Sequence, residues 1–149
     1  MSGDETRTQI HATCVALGGV GVVIRGPSGG GKSDLALRLI DAGARLVADD
    51  RVDLGRDGDA VVAAPPAALA GLLEVRGIGI VEMAFEASAT VGVIVDLIGA
   101  DAVERLPEPA TAALLGVALP VHRLDPFEAS AAAKVRVAAG LAAGHIMRR

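Results

Sequence analysis

Three features of the sequence predict an α/β fold with a mixed β-sheet. Short β-branched and apolar segments alternate with helical patterns, as in a sheet covered by helices. Gly18-Gly19 separates two of these segments and predicts a β-hairpin, which gives the second segment an antiparallel neighbour. A glycine-rich loop then leads from that second segment into a helical pattern, and this order places the loop at the end of a buried strand.

The first half of the pattern predicts three strands and one helix. Leu35, Leu39 and Ile40 recur at helical spacing, and Gly43 supplies the stop. The segment that precedes the glycine-rich loop is apolar enough to be buried on both faces. In chain order the predicted elements are a strand at Ile10–Leu17, a strand at Val20–Arg25, a loop at Gly26–Gly31, a helix at Asp34–Ala42 and a strand at Arg45–Ala48.

The second half of the pattern is richer in turns. Val52–Val62 predicts a small hairpin because Gly55 and Asp57-Gly58 interrupt it, and Pro120 predicts an edge strand because proline cannot donate to a ladder. The remaining elements are a short helix or loop from Pro65-Pro66, a glycine-punctuated segment at Glu74–Val81, a strand at Val91–Leu97, a helical turn at Ala102–Leu106, an edge strand at Leu119–Val121 and a helix at Pro126–Ala143.

The length and composition favour one globular domain. The chain has 149 residues, of which 52% are hydrophobic and 21% are charged, so extensive disorder is excluded. We expect a single domain over residues 1–149, with a flexible N-terminus at residues 1–8 and a C-terminal helix and tail at residues 126–149. The positive mean hydropathy leaves apolar surface for a contact between copies, so we expect a homo-oligomer.

Charge and residue types argue against several classes of function. The net charge is −4, and the only aromatic residues are Phe85 and Phe127, which disfavours a nucleic-acid-binding protein. Cys14 is the single cysteine, so no internal disulfide can form, and a cytoplasmic location is expected. Residues 1–8 lack the apolar run of a signal peptide, and no apolar stretch is long enough to predict a membrane span.

Residues 26–33 match the phosphate-binding pattern G-x-x-x-x-G-K-[ST]. Glycines let the backbone curl so that successive amides converge on phosphate oxygens, and the positive end of the following helix adds to the same site. The lysine can reach the terminal phosphates, and the final hydroxyl can bind Mg²⁺. The residues concerned are Gly26, Pro27, Ser28, Gly29, Gly30, Gly31, Lys32 and Ser33.

An acidic pair, Asp49-Asp50, follows the next predicted strand. One carboxylate can hold Mg²⁺ or its water, and the other can accept a proton from a hydroxyl nucleophile. The alternative is a solvated acidic turn. His11 is a lone strand histidine, a type that is more often structural, yet the hairpin can bring it to face the acidic pair. Glu74 and Arg76 offer a metal ligand and a phosphate ligand, or a salt bridge at the start of a strand.

Taken together, these motifs resemble the bacterial HPr kinase/phosphorylase family. The resemblance covers roughly residues 10–105 and depends on His11, the glycine-rich loop with Lys32-Ser33, residues 46–50 (Leu-Val-Ala-Asp-Asp) and residues 74–80 (Glu-Val-Arg-Gly-Ile-Gly-Ile). Members of this family phosphorylate a serine of HPr, the phosphocarrier of the sugar phosphotransferase system. They also catalyse phosphorolysis, in which inorganic phosphate removes the phosphoryl group and yields pyrophosphate. HPr and ATP are therefore the implied partners.

The resemblance implies a role for each matching residue. Lys32 and the loop backbone hold the phosphates of ATP, and Ser33 and Glu74 bind Mg²⁺. Asp50 takes the proton of the serine and returns it in the reverse direction, with His11 beside it in the active site.

The implied fold is the phosphoenolpyruvate-carboxykinase type of P-loop domain, in a short form without the N-terminal domain of the usual family member. The family's aspartate-arginine-leucine motif is matched by Arg105 within Glu104-Arg105-Leu106, which adds this arginine to the expected catalytic residues.

Two other functions remain open from the residues alone. A small-molecule kinase would use the same phosphate-binding loop, although the chain is short for a separate lid. A non-catalytic nucleotide switch would need the loop but not Asp50 or His11.

Overall fold

The computed structural model describes residues 6–149. It forms an α/β fold with a mixed sheet. The strands are β1 (Arg7–Ile10), β2 (Thr13–Leu17), β3 (Val20–Arg25), β4 (Arg45–Ala48), β5 (Val52–Asp57), β6 (Ala60–Ala64), β7 (Leu72–Val75), β8 (Gly79–Glu82), β9 (Ala89–Leu97), β10 (Ala110–Leu114) and β11 (Val117–Leu124), and the helices are α1 (Lys32–Asp41) and α2 (Ala131–Ala142).

The sheet is organised around β3 and β9, which pair in parallel. On the far side of β3 lie β2 and then β4, both joined by antiparallel pairing. The other edge of β9 is shared, since its first residues pair with β6 and its last residues pair in parallel with β11. β5 and β1 extend the sheet beyond β6, β10 extends it beyond β11, and β7 with β8 forms a separate two-stranded sheet. The predicted mixed α/β sheet is thus confirmed.

The predicted hairpin at Gly18-Gly19 is confirmed. β2 and β3 pair antiparallel, with Leu17 opposite Val20. Gly18 has φ 54° and Gly19 has φ 84°, and two consecutive positive values are what a two-residue hairpin turn requires. The strand that carries the glycine-rich loop therefore has an antiparallel neighbour, as expected.

Two apolar cores lie on opposite faces of the sheet. Val22 and Ile24 of β3 pack with α1, α2 and β7, whereas Val23 between them faces the core formed with β5, β6, β10 and β11. This alternation explains why β3 is apolar throughout, as the sequence predicted. Cys14 lies in the second core, where burial raises the pKa of its thiol to about 12.

The start of the chain differs from the prediction. The predicted strand Ile10–Leu17 is interrupted at His11-Ala12. The residues before the interruption belong to β1, which pairs with β5 rather than with β3. Arg7 and Thr8 belong to β1, so they are not part of a flexible terminus. Thr6 of that predicted terminus accepts a hydrogen bond from the amide of Arg56 at 2.8 Å, and residues 1–5 lie outside the described residues.

Three later elements also differ from the prediction. The strand around Pro120 is not at an edge, because β11 has β10 on one side and β9 on the other. Pairing with β9 begins at Val121, so the ladder with β9 does not need the missing amide of Pro120. The helix predicted from Pro126 begins only at Ala131, and the turn predicted at Ala102–Leu106 is a 3₁₀ turn at Ala100–Ala102.

Helices of the described residues are all too short or too polar to cross a membrane.

A close approach of β3 to β9 gives a test of this fold. A Cβ added at Gly21 would lie 2.6 Å from the backbone oxygen of Thr90, so Gly21→Ala must push the two central strands apart. We expect it to lower the free energy of unfolding by about 1–3 kcal/mol, as overpacking does elsewhere. Urea unfolding followed by far-UV circular dichroism measures this loss.

The matched control is Gly55→Ala, also within a strand. A Cβ at Gly55 meets nothing within 4 Å, so this variant should be as stable as the parent chain or slightly more stable. Equal unfolding midpoints for the Gly21 and Gly55 variants would contradict the close packing of β3 against β9.

Candidate active site

A cleft of about 490 Å³ opens where β3 and β4 end. One wall is the glycine loop, defined here as residues 26–31, together with the first turn of α1. The opposite wall is the β7–β8 sheet, which contributes residues 74–76. His11 and the acidic pair lie between the two walls, and Phe127 lies at the rim. The cleft thus brings together most of the residues that the sequence predicted for one site.

The glycine loop has a backbone that only glycine adopts without strain at several positions. Gly29 has φ 74° and Gly31 has φ 96°. Gly30 donates its amide to the carbonyl oxygen of Pro27 at 2.9 Å, and a Cβ at Gly30 would lie 2.7 Å from that same oxygen. The first helical hydrogen bond runs from the amide of Leu35 to the carbonyl of Gly31, so the amides before Leu35 have no partner within the helix. Such a curled loop at a helix N-terminus suits an anion.

Lys32 is the first residue of α1 and is almost entirely buried. Its Nζ donates to the carbonyl oxygens of Gly26 at 2.8 Å and Pro27 at 3.0 Å. These two bonds hold the ammonium group against the glycine loop, on the lining of the cleft. A positive charge is therefore fixed next to the loop amides.

Asp49 is buried on the floor of the cleft and accepts three hydrogen bonds. Its Oδ1 accepts from Thr13 Oγ1 and from Ser33 Oγ, each at 2.8 Å. Its Oδ2 accepts from the backbone amide of Glu74 at 3.2 Å. A carboxylate removed from solvent needs such partners, and here they come from β2, α1 and β7.

Asp50 has a different environment from its neighbour. Its φ is 70°, and the amide of Arg51 donates to the carbonyl of Asp49 at 2.8 Å, so Asp50 is the central residue of a γ-turn. The side chain is 63% exposed, and its Oδ1 lies 2.9 Å from Nε2 of His11. The expected proximity of His11 to the acidic pair is therefore present. Strained turns of this kind concentrate at functional sites because the surrounding structure must hold them.

The charge of the cleft is predominantly negative. Four carboxylates line it against two cationic side chains: Asp34, Asp49, Asp50 and Glu74 against Lys32 and Arg76. A polyanion on the glycine loop would be repelled by these carboxylates unless a cation accompanied it. Within residues 6–149 no group of three or more His, Cys, Asp or Glu side chains is close enough to hold a metal by itself. A cation here would need further ligands from water or from a bound molecule, which is typical of Mg²⁺.

Arg105 is not brought to the cleft in this structure. It lies in the exposed segment between β9 and β10, where it lines a separate cavity with Arg123, Lys134 and Arg148. The predicted helical turn that would carry it ends earlier, at Ala102. The catalytic role expected of Arg105 stays a prediction, and this structure places its side chain on the other cavity.

Thr13 and Phe127 are among the cleft residues that the sequence did not single out. Thr13 is fully buried and reaches Asp49 because Cys14 pairs with Ala48 across β2 and β4. That register is set by the tertiary fold, so no local signal in the sequence indicates it. Phe127 is 74% exposed at the rim, and its only sequence signal is that it is one of two aromatic residues in the chain.

Comparisons with known proteins find relatives that share a name. A relative from Enterococcus faecalis named HPr kinase/phosphorylase is 49% identical over 89 residues, covering 58% of this chain and 29% of the relative. Another of the same name from Levilactobacillus brevis is 50% identical over 78 residues, covering 52% of this chain and 25% of the relative. The chain thus spans less than a third of the length of these curated relatives.

The fold matches a solved structure over nearly its whole length. The Hpr(Ser) kinase/phosphatase from Coxiella burnetii superposes with a TM-score of 0.79 at 25% identity, covering 93% of this chain and 95% of that one. The family model described as HPr Serine kinase C-terminal domain matches residues 5–128. On this evidence the chain belongs to the HPr serine kinase C-terminal domain family.

Proposed function

We propose that this chain is an ATP- and Mg²⁺-dependent protein kinase that phosphorylates a serine of HPr. The observation that carries the proposal is a single cleft lined both by the glycine loop with Lys32 and by an exposed, hydrogen-bonded carboxylate, Asp50. The relatives named HPr kinase/phosphorylase support HPr as the substrate. The chain acts as one kinase domain of the P-loop type related to phosphoenolpyruvate carboxykinase, and the antiparallel neighbour of β3 supports that type.

The residues of the cleft fit the phosphates of ATP. The amides that precede Leu35 have no partner within α1, and the N-terminus of α1 adds the positive end of its dipole. Lys32 holds an ammonium group beside these amides. Phosphoryl transfer depends mainly on positioning and on the neutralisation of negative charge, and this wall of the cleft supplies both.

The residues also fit Mg²⁺, because Ser33, Asp49 and Glu74 offer hard oxygen donors. We assign Ser33 and Glu74 as protein ligands, with Asp49 as the third oxygen donor on the floor of the cleft. Bound there, Mg²⁺ would offset the charge of the phosphates against the four carboxylates. The Ser33 hydroxyl donates to Asp49 Oδ1, and Thr13 donates to the same oxygen. These bonds hold Ser33 and Asp49 side by side at the proposed Mg²⁺ site.

Asp50 is assigned as the general base. It accepts the proton of the serine hydroxyl while the serine oxygen attacks the γ-phosphorus, and the bond to ADP breaks. His11 holds the carboxylate in place through its Nε2 contact. In phosphorolysis an oxygen of inorganic phosphate attacks the phosphorus of the phosphoserine, and the bond from that phosphorus to the serine oxygen breaks. Asp50 returns the proton to the departing serine oxygen, and the pyrophosphate that has formed is released. The exposure of Asp50 lets a serine on a folded protein reach it.

The same features weigh against the two alternatives. A small-molecule kinase encloses its substrate, whereas Asp50 is largely open to solvent. A nucleotide switch has no use for a strained γ-turn that presents a carboxylate to His11. Assembly into a homo-oligomer and a cytoplasmic location stay predictions.

The deciding experiment mixes the purified chain with HPr, ATP and Mg²⁺ and measures phosphoserine on HPr by mass spectrometry. We expect phosphoserine from the parent chain and none from Asp50→Asn, because an amide cannot accept the proton. Calorimetry should show nearly unchanged ATP binding in that variant. Asp59→Asn, in the β5–β6 turn away from the cleft, is the matched control and should keep full activity.

Each possible failure has a different meaning. Full transfer by Asp50→Asn would remove Asp50 from the mechanism. A parent chain that binds ATP but modifies neither HPr nor any member of a metabolite panel would be a switch. Transfer to a metabolite in place of HPr would make it a small-molecule kinase.

Thr13 gives a second prediction. Thr13→Val keeps the side-chain shape but removes one of the two donors to Asp49 Oδ1. Losing that bond, worth about 0.5–1.5 kcal/mol, should raise the Mg²⁺ concentration for half-maximal kinase activity by roughly 2- to 13-fold. A Mg²⁺ titration of initial rates measures this change.

Thr13→Ser retains the hydroxyl and should titrate like the parent chain. A Thr13→Val chain that melts earlier yet has an unchanged Mg²⁺ requirement would show that Thr13 supports only the fold.

A further inference from the structure

Phe127 is an exposed aromatic ring at the rim of the cleft. Its exposed fraction is 74%, and among residues 6–149 it is the one aromatic residue that lines the cleft. The mechanism proposed above does not use it. An exposed ring leaves apolar surface in water. A planar aromatic group of a ligand that stacked on the ring would remove this surface from water, which would stabilise the complex.

The ring is held in place by its own segment and by α1. The amide of Phe127 donates to Oδ1 of Asp125 at 2.9 Å, and the carbonyl of Pro126 accepts from Nη2 of Arg38. Arg38 also pairs with Asp34 in the first turn of the same helix. The helix that begins at the glycine loop therefore also anchors the segment that carries Phe127.

The ring lies directly against the glycine loop. A Cβ added at Gly31 would be 3.4 Å from Cε1 of Phe127 and 3.2 Å from Cβ of Pro126. Gly31 immediately precedes Lys32, so the ring borders the backbone that would cradle the phosphates. A nucleotide whose phosphates rest on the loop has its sugar and base within a short distance of this rim.

We propose that Phe127 is the surface on which the base of the bound nucleotide stacks. The inference rests on the proposed nucleotide-binding function of the cleft and adds the recognition of the base. Stacking uses the flat face of a base rather than its hydrogen-bonding edge, so it discriminates weakly between bases. The cleft therefore accepts ATP and GTP with similar affinity and binds both more tightly than the bare phosphate chain.

The chain offers a direct reporter for this contact. The sequence contains no Trp and no Tyr, so Phe127→Trp introduces the only indole of the protein. We expect ATP and GTP, each with Mg²⁺, to quench its fluorescence through stacking. Inorganic tripolyphosphate with Mg²⁺ should bind, as judged by competition with ATP, and leave the emission unchanged.

The matched control is Phe85→Trp. Phe85 is 38% exposed and does not line the cleft, so its indole should not respond to any of the three ligands. A second variant, Phe127→Ala, measures the energy of the contact. Calorimetry should show ATP affinity lowered by roughly 5- to 150-fold, the range that ~1–3 kcal/mol per stacked base implies, with tripolyphosphate affinity unchanged.

Three results would overturn the inference. Equal quenching by tripolyphosphate and ATP would mean that the indole senses the loop rather than the base. An equal loss of ATP and tripolyphosphate affinity in Phe127→Ala would mean that the ring supports the loop. Unchanged ATP affinity with a raised KM for HPr would make Phe127 a contact for the protein substrate.

These measurements do not depend on phosphoryl transfer. Base-dependent quenching without phosphoserine on HPr would leave the inference standing and reject the proposed kinase activity. Phosphoserine formation together with quenching that is independent of the base would support the kinase activity and reject the inference.

Discussion

The buried carboxylate of Asp49 is the interaction on which the site depends. Its two oxygens bind a hydroxyl of β2, a hydroxyl of α1 and an amide of β7, which are far apart in the sequence. A charge at this depth is tolerated only when such donors surround it. The three elements must therefore meet at one point, and their meeting shapes the floor and both walls of the cleft.

The neighbouring carboxylate of Asp50 is exposed to solvent, whereas that of Asp49 is buried. A γ-turn directs the side chain of Asp50 away from the floor of the cleft, so one of two adjacent carboxylates is buried and the other is exposed to solvent. The buried carboxylate accepts the hydrogen bonds that join three elements, and it is also the proposed third oxygen donor to Mg²⁺. The exposed one has His11 as its one hydrogen-bond partner within residues 6–149, and it stays accessible to another molecule. This separation lets one dipeptide combine a buried carboxylate for the proposed Mg²⁺ site with an exposed carboxylate for the proposed proton transfer.

Local patterns predicted the elements around the cleft well. Val20–Arg25 and Arg45–Ala48 have the predicted bounds, because apolar runs between glycines and charges mark buried strands unambiguously. The hairpin followed from two glycines that reach positive φ without strain. The prediction of strand bounds and sheet edges failed where pairing between distant strands decides them. β1 is separate from β2 because it pairs with β5, and β11 is not an edge strand because it pairs with β9 from Val121 onward. Arg105 was placed by a short motif, and a short motif carries no information about the path of the segment around it.

The sequence by itself determined the chemical components of this protein: a glycine loop with Lys32-Ser33, an acidic pair after the next strand, and an early hairpin beside the loop-bearing strand. These depend on backbone freedom and on spacing along one element or two adjacent ones, which neighbouring residues control. Only the tertiary structure decided that Thr13 and the amide of Glu74 would donate hydrogen bonds to Asp49. It also decided that Phe127 would border Gly31 and that Arg105 would lie outside the cleft. Such contacts join residues separated by dozens of positions. Their geometry depends on strand register and on how helices pack across the sheet, which are properties of the whole folded chain.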